Sequence, residues 1–263
     1  MTEKKEMSFL DHLEELRWRL VRSSAAIVLV AIVIWIFKSW IMENLFMTMR
    51  KADFPTFSLL CKYIDVCVDD VPVLMQSTEV IGQFSYAIMM SMVGGIIVAF
   101  PYVFWEIWSF VKPGLKQNEL KAVKGTVFFV SVLFFTGVLF GYFIVAPLSV
   151  QFFGSFQIAS EIQNNFTVSS YMSTVISTIF FSGIIFLMPV LVYFFARLGV
   201  ISSAFLKKYR KHAIVGVLIL SALITPPDLI SQVIVAIPIV ILYEFSILLA
   251  RNVEKKQLKN QYK

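Results

Sequence analysis

Residues 125–146 read GTVFFVSVLFFTGVLFGYFIVA, a run without a single charged side chain. A helix rises 1.5 Å per residue and needs roughly 20 apolar residues to cross about 30 Å of hydrocarbon, so this stretch predicts a membrane-spanning helix. Working outward, Ser23–Trp40, Ile81–Trp105 and Tyr171–Ala196 meet the same criterion, although Gly94, Gly95 and Pro101 interrupt the second of them. A shorter run, Ala213–Ile224, stops at Thr225-Pro226-Pro227-Asp228, and Leu229–Ala250 resumes the pattern. Proline has no N–H to donate and biases the preceding residue away from helix, so the double proline predicts a tight turn between two helices. The fifth helix is then a short one that leans on its neighbours or thins the bilayer locally.

Composition agrees with this pattern. Of 263 residues, 58% are apolar and only 15% are charged, and the mean hydropathy is +0.79. Soluble domains average about 25% charged residues, so a water-soluble globule is excluded, and intrinsic disorder has the opposite composition. The expected fold is an all-α polytopic membrane protein, a single membrane domain of six helices forming a curved wall. Its N-terminus, Met1 to about Arg22, has neither the apolar core nor the small-residue cleavage pattern of a signal peptide, so Met1 is expected to be the true start.

The net charge of +6 could suggest nucleic acid, but its distribution argues otherwise. Nineteen of the 23 Lys and Arg residues fall in four segments, 1–22, 106–124, 197–212 and 251–263, which the six-helix layout puts on one side. Lys38, Arg50, Lys51 and Lys62 make up the other side. Positive charge marks the cytoplasmic face, so both termini are expected inside a bacterial inner membrane, with 41–80 as the first periplasmic loop and 251–263 as a cytoplasmic tail. That loop holds both cysteines, Cys61 and Cys67. In an oxidising compartment they form either a local structural disulfide or two free thiols.

The inner surface carries the specific signals. Residues 8–20, SFLDHLEELRWRL, read as an amphipathic helix opened by a Ser8-x-x-Asp11 cap. Phe9, Leu13, Leu16 and Leu20 form an apolar stripe, with Asp11, Glu15 and Arg22 opposite. That face is either a solvated surface with internal Glu–Arg pairs or a place where a basic ligand docks. The loop 106–124 adds Phe110, Pro113 and the carboxylate of Glu119. His12 and His212 stand alone, no metal-ligand cluster appears, and no Gly-x-Ser-x-Gly or Walker-type loop is present, so neither an enzyme nor a cofactor is expected.

Three strings, SFLDHLEELRWRL (8–20), PYVFWEIWSFVKPGLKQNE (101–119) and LITPPDLISQVIVAIPIVILYE (223–244), resemble those of TatC, the multi-spanning receptor of the twin-arginine protein translocase. The resemblance covers roughly residues 8–251, and the long first outer loop with its cysteines departs from the familiar pattern. It implies binding of twin-arginine signal peptides on folded preproteins. It also implies single-span partners of the TatA/TatB type, self-association in a multisubunit complex among membrane lipids, and transport driven by the proton-motive force. By the same resemblance, Glu15 and Glu119 face the twin arginines, and Arg17, Arg19, Phe110 and Pro113 belong to the same binding surface. Pro226, Pro227, Asp228 and Gln232 match the outer hairpin and Glu244 a carboxylate of the last helix, and these five are read as membrane or partner contacts.

The chemistry fits. A planar guanidinium offers paired donors in the geometry a carboxylate accepts. Two such contacts at about 1.5–3 kcal/mol each give weak binding at best, so the apolar stretch of the signal peptide must add the rest. One position departs from the family: Leu187 stands before Pro189 where a carboxylate or amide is usual, which removes a mid-membrane polar group from the fourth span. The hydroxyls of Ser170, Thr174, Ser177 and Thr178 in that span either face a polar groove or glue helices together. Gly137-x-x-x-Gly141 in the third span reads as a close-contact face. The rival reading is a proton-coupled secondary transporter of small solutes, but such proteins show repeated halves and several mid-membrane charges, and here Glu244 is nearly the only buried one.

Overall fold

The computed structural model describes residues 9–65, 67–70, 75–111, 125–157, 159, 165–224 and 229–261. In chain order come α1 (Phe9–Ile36), the single turn α2 (Lys38–Ile41), a π turn (Met42–Phe46), a 3-10 turn (Met47–Arg50), α3 (Pro55–Ile64) and the two-residue strand β1 (Met75–Gln76). Then follow α4 (Gly82–Val111), α5 (Thr126–Phe140), a second π turn (Gly141–Val145), α6 (Ala146–Ser155) and the strand β2 (Phe166–Thr167). The chain continues through α7 (Val168–Ile185), α8 (Met188–Arg197), α9 (Ser203–Lys208), α10 (Arg210–Ile224) and α11 (Leu229–Gln261). Among the described residues, five stretches are long and apolar enough to cross a membrane: His12–Ile36, Gly82–Val111, Thr126–Ser155, Val168–Arg197 and Gln232–Lys256. Helices satisfy their own backbone groups, which is what a bilayer interior demands. The protein is an all-α polytopic membrane protein. Helix α10 has 15 residues, about 22 Å at 1.5 Å each, and matches the short fifth helix expected from the sequence. The turn expected at Pro226, Pro227 and Asp228 lies outside the described residues, as does Ser8 of the expected helix cap.

The chain forms two compact units, Met1–Lys38 with Ala87–Val132 and Ser39–Tyr86 with Leu133–Lys263. In the first, the amphipathic segment and the first span are one uninterrupted helix, α1, where the sequence suggested a boundary at Arg22. No residue there breaks the helical hydrogen-bond ladder, so the polar stretch continues into the apolar one. The interruptions read at Gly94 and Gly95 leave α4 helical. They are where α1 approaches: a Cβ on Gly95 would stand 2.8 Å from the Ile27 carbonyl oxygen and 3.0 Å from the Ala31 Cβ. Small residues let the backbones close up, which is how helices associate in lipid.

In the second unit, the fourth span is two helices. Pro189 cannot donate within α8, and the chain turns at Phe186–Leu187, where the Leu187 amide donates to the Ile184 carbonyl at 3.0 Å. The Gly137/Gly141 face packs as expected: a Cβ on Gly137 would lie 2.6 Å from the Ser182 carbonyl oxygen and 2.7 Å from the Phe186 Cβ. The hydroxyl stripe divides, for Thr178 is buried while Thr174 turns back to donate to the Ser170 carbonyl at 2.8 Å. Two apolar cores finish the unit. One joins α8, α9 and α11 through Val192, Ala196, Leu206, Tyr243 and Ile247, and the other joins the second π turn, α10 and α11 through Val145, Val217, Val235 and Ile239.

The first outer loop is structured, which the sequence reading missed. Phe54 and Phe57 of its α3 region are buried, and Phe54 packs on Tyr142 and Phe143 of the second π turn. The Thr56 hydroxyl donates to the Phe143 carbonyl, the Tyr171 hydroxyl to Phe46 and the Tyr142 hydroxyl to Leu45 at 3.1 Å. β1 pairs in parallel with β2, Met75 opposite Phe166 and Gln76 opposite Thr167. Cys61 in the last turns of α3 and Cys67 just beyond it are paired as a disulfide. A maleimide reagent is therefore expected to label neither cysteine until the protein is reduced. Full labelling of the native, unreduced protein would contradict the bridge.

Candidate functional site

The site grows from the amphipathic end of α1. Positions 15, 19 and 22 lie three and four apart, so their side chains share one helix face. That face meets α4, which does not end at Trp105 as the sequence suggested but continues to Val111. The extension carries Glu106 into the helix, where only 2% of its side chain is exposed. A buried carboxylate is costly unless paired and hydrogen-bonded, and here it is both. Arg22 Nε sits 3.0 Å from Glu106 Oε1, Arg19 Nη1 lies 3.2 Å from Oε2, and the Tyr102 hydroxyl donates to Oε1 at 2.9 Å.

Arg19 also serves Glu15. Its Nε donates to Glu15 Oε1 at 3.0 Å, its Nη2 reaches the same oxygen, and its Nη1 donates to the Glu106 backbone carbonyl at 3.3 Å. One guanidinium thus bridges two carboxylates on two helices. The Glu15 side chain is 28% exposed and that of Arg19 is 16% exposed, so the more accessible member of this pair is the acid. Arg22, 53% exposed, spreads outward from the buried Glu106. Nearby, the His12 ring stacks on Phe110 with centroids 4.3 Å apart, which brings the last turn of α4 against the start of α1. Arg17 is exposed.

Of the residues expected at this surface, Glu15, Arg19 and Phe110 come together on the α1–α4 pair. Glu119 and Pro113 lie outside the described residues. Glu106 was missed: the reading put it at the first position of a loop, although an acid flanked by Trp105 and Ile107 in a 30-residue apolar helix was the available signal. The burial expected of Glu244 belongs to Glu106 instead. Glu244 is 36% exposed and pairs through both carboxylate oxygens with Arg210 at the start of α10. Gln232 Nε2 donates to the Leu218 carbonyl at 3.0 Å and ties α11 to α10.

Known proteins agree with these motifs. Residues 11–238 match the family described as TatC, Sec-independent protein translocase protein. The chain is 39% identical to the Sec-independent protein translocase protein TatC of Blattabacterium sp. subsp. Periplaneta americana, across 97% of this chain and 99% of that one. It is 33% identical to the protein of the same name from Carboxydothermus hydrogenoformans, across 99% and 100%. Its fold superposes with a TM-score of 0.70 on a crystal structure of the twin-arginine translocase receptor TatC in DDM, at 30% identity, across 91% of this chain and 99% of that one. None of these relatives supports a small-solute carrier. The chain belongs to the TatC family of Sec-independent protein translocases.

Proposed function

We propose that this chain is the signal-peptide receptor of its translocase, taking paired arginines between Glu15 of α1 and Glu119 of the following inner loop. The observation that carries the reading is that Glu15 already holds a guanidinium, that of Arg19, while more than a quarter of its own side chain faces outward. A carboxylate so placed accepts an arginine in the fork geometry that lysine lacks. Phe110, stacked on His12, forms a wall beside it, Arg17 lies on the exposed side, and Pro113 is assigned to the same surface by the family motif alone. Both termini face the cytoplasm of an inner membrane, α10 acts as a short sixth crossing, and the protein performs no covalent chemistry of its own. TatA/TatB-type single-span proteins join it in a multisubunit complex powered by the proton gradient. Glu244, Gln232, Pro226, Pro227 and Asp228 serve the membrane and partner side.

Copurification tests the assignment. A folded preprotein with a twin-arginine signal and a small single-span protein should both remain with the chain extracted in mild detergent, and a twin-lysine version of the preprotein should be lost. Equal retention of the twin-lysine version would overturn the reading. Glu119→Ala should reduce preprotein retention about tenfold or more while membrane insertion stays normal, since one charged contact is worth about 1.5–3 kcal/mol.

A further inference from the structure

Glu15 is not vacant in the free protein. Arg19 covers it through Nε and Nη2, so an incoming arginine must displace a resident one. Displacing a guanidinium from its acid is costly when no other partner waits, because a desolvated charge is left behind. Here a partner does wait: the third nitrogen of the same group already touches Glu106 Oε2 at 3.2 Å and the Glu106 carbonyl at 3.3 Å. Glu106 is held in turn by Arg22 and Tyr102, so it stays fixed whether Arg19 leans toward it or away. Two acids and two arginines thus balance each other's formal charge within the cluster.

We infer that Arg19 is a built-in placeholder for one arginine of the signal peptide, and that Glu106 is the positioning residue that receives it when the peptide takes Glu15. The inference rests on the proposed role of Glu15 and adds the exchange that precedes it. Arg19 then competes with the peptide, and Glu106 weakens that competition by drawing Arg19 aside. Selectivity follows from the same contacts: a lysine makes a point contact and competes poorly against a resident guanidinium for one carboxylate.

The test uses the full-length chain in lipid nanodiscs and a fluorescent synthetic peptide with paired arginines followed by an apolar stretch. Arg19→Gln should tighten peptide binding about three- to fivefold, as expected from removing an ion pair of roughly 1 kcal/mol. Glu106→Gln should weaken binding by a similar factor, and this loss should vanish in the Arg19→Gln background. A merely structural role for Glu106 would weaken both backgrounds equally and would overturn the inference. So would weaker or unchanged binding by Arg19→Gln when Glu15→Gln still weakens binding, a result that leaves the receptor reading intact. Unchanged binding by Glu15→Gln would remove the receptor reading and the placeholder with it. Thermal unfolding of each variant identifies a misfolded one, and Arg19→Lys, which keeps the charge and loses the fork, serves as the second variant and should tighten binding less than Arg19→Gln.

Discussion

Glu15→Ala is expected to lower crosslinking of a twin-arginine signal peptide about ten- to hundredfold while leaving the protein folded and inserted. The size follows from losing one charge-assisted contact of about 1.5–3 kcal/mol. The insertion follows from the cluster itself: without Glu15, Arg19 keeps its bonds to the Glu106 carboxylate and carbonyl, so no buried charge is stranded. Glu15→Gln, which retains an acceptor oxygen, should fall between wild type and alanine. Photocrosslinking in membranes together with a protease-accessibility check of insertion measures both halves. Wild-type crosslinking by the alanine variant would remove Glu15 from the binding surface.

The second large effect is structural. Gly137→Leu should destabilise the second unit by about 3 kcal/mol, at the upper end of what overpacking costs. The reason is where the new side chain begins: its Cβ would start 2.6 Å from a backbone oxygen of Ser182, which cannot rotate away as a side chain does. The helices must separate, loosening Phe134 and Ile179, both buried near that crossing. Gly216→Leu is the control, since nothing lies within 4 Å of the Cβ there. A fall in Tm for the first variant and little change for the second are expected in detergent. Equal Tm values for Gly137→Leu and wild type would mean that the two helices are not in close contact.

What could be read from the residues alone depended on whether the signal was local. The stretch 125–146 announces a helix by its own apolarity, and the short α10 is announced by the prolines that follow it. The family resemblance lay in contiguous strings and agrees with the relatives at full length. Glu106 was hidden because its helical state depends on partners far away in sequence: without Arg19 and Arg22 an acid there reads as the start of a loop, and with them it is a buried helix residue. The outer segment 41–80 was hidden for the same reason. Its α3 owes its position to Phe54 packing on Tyr142 and Phe143, and β1 exists only against β2, some ninety residues on. The break in the fourth span was legible at Pro189, yet the apolar run on either side masked it.

Membership of the translocase family sets the role of the chain, and the α1–α4 cluster supplies a physical route to selectivity. On the proposal made above, a partly exposed acid, a resident arginine and a buried second acid form an exchange site that favours guanidinium over ammonium. The most direct measurement places a photoreactive residue beside the arginine pair of a signal peptide, crosslinks it to the membrane-embedded chain and maps the adducts by mass spectrometry. Adducts in both the Glu15 region of α1 and the 112–124 loop, each lost when the peptide arginines are replaced by lysine, are the predicted result. Adducts confined to one of the two regions, or unaffected by that replacement, would contradict the shared grip of Glu15 and Glu119.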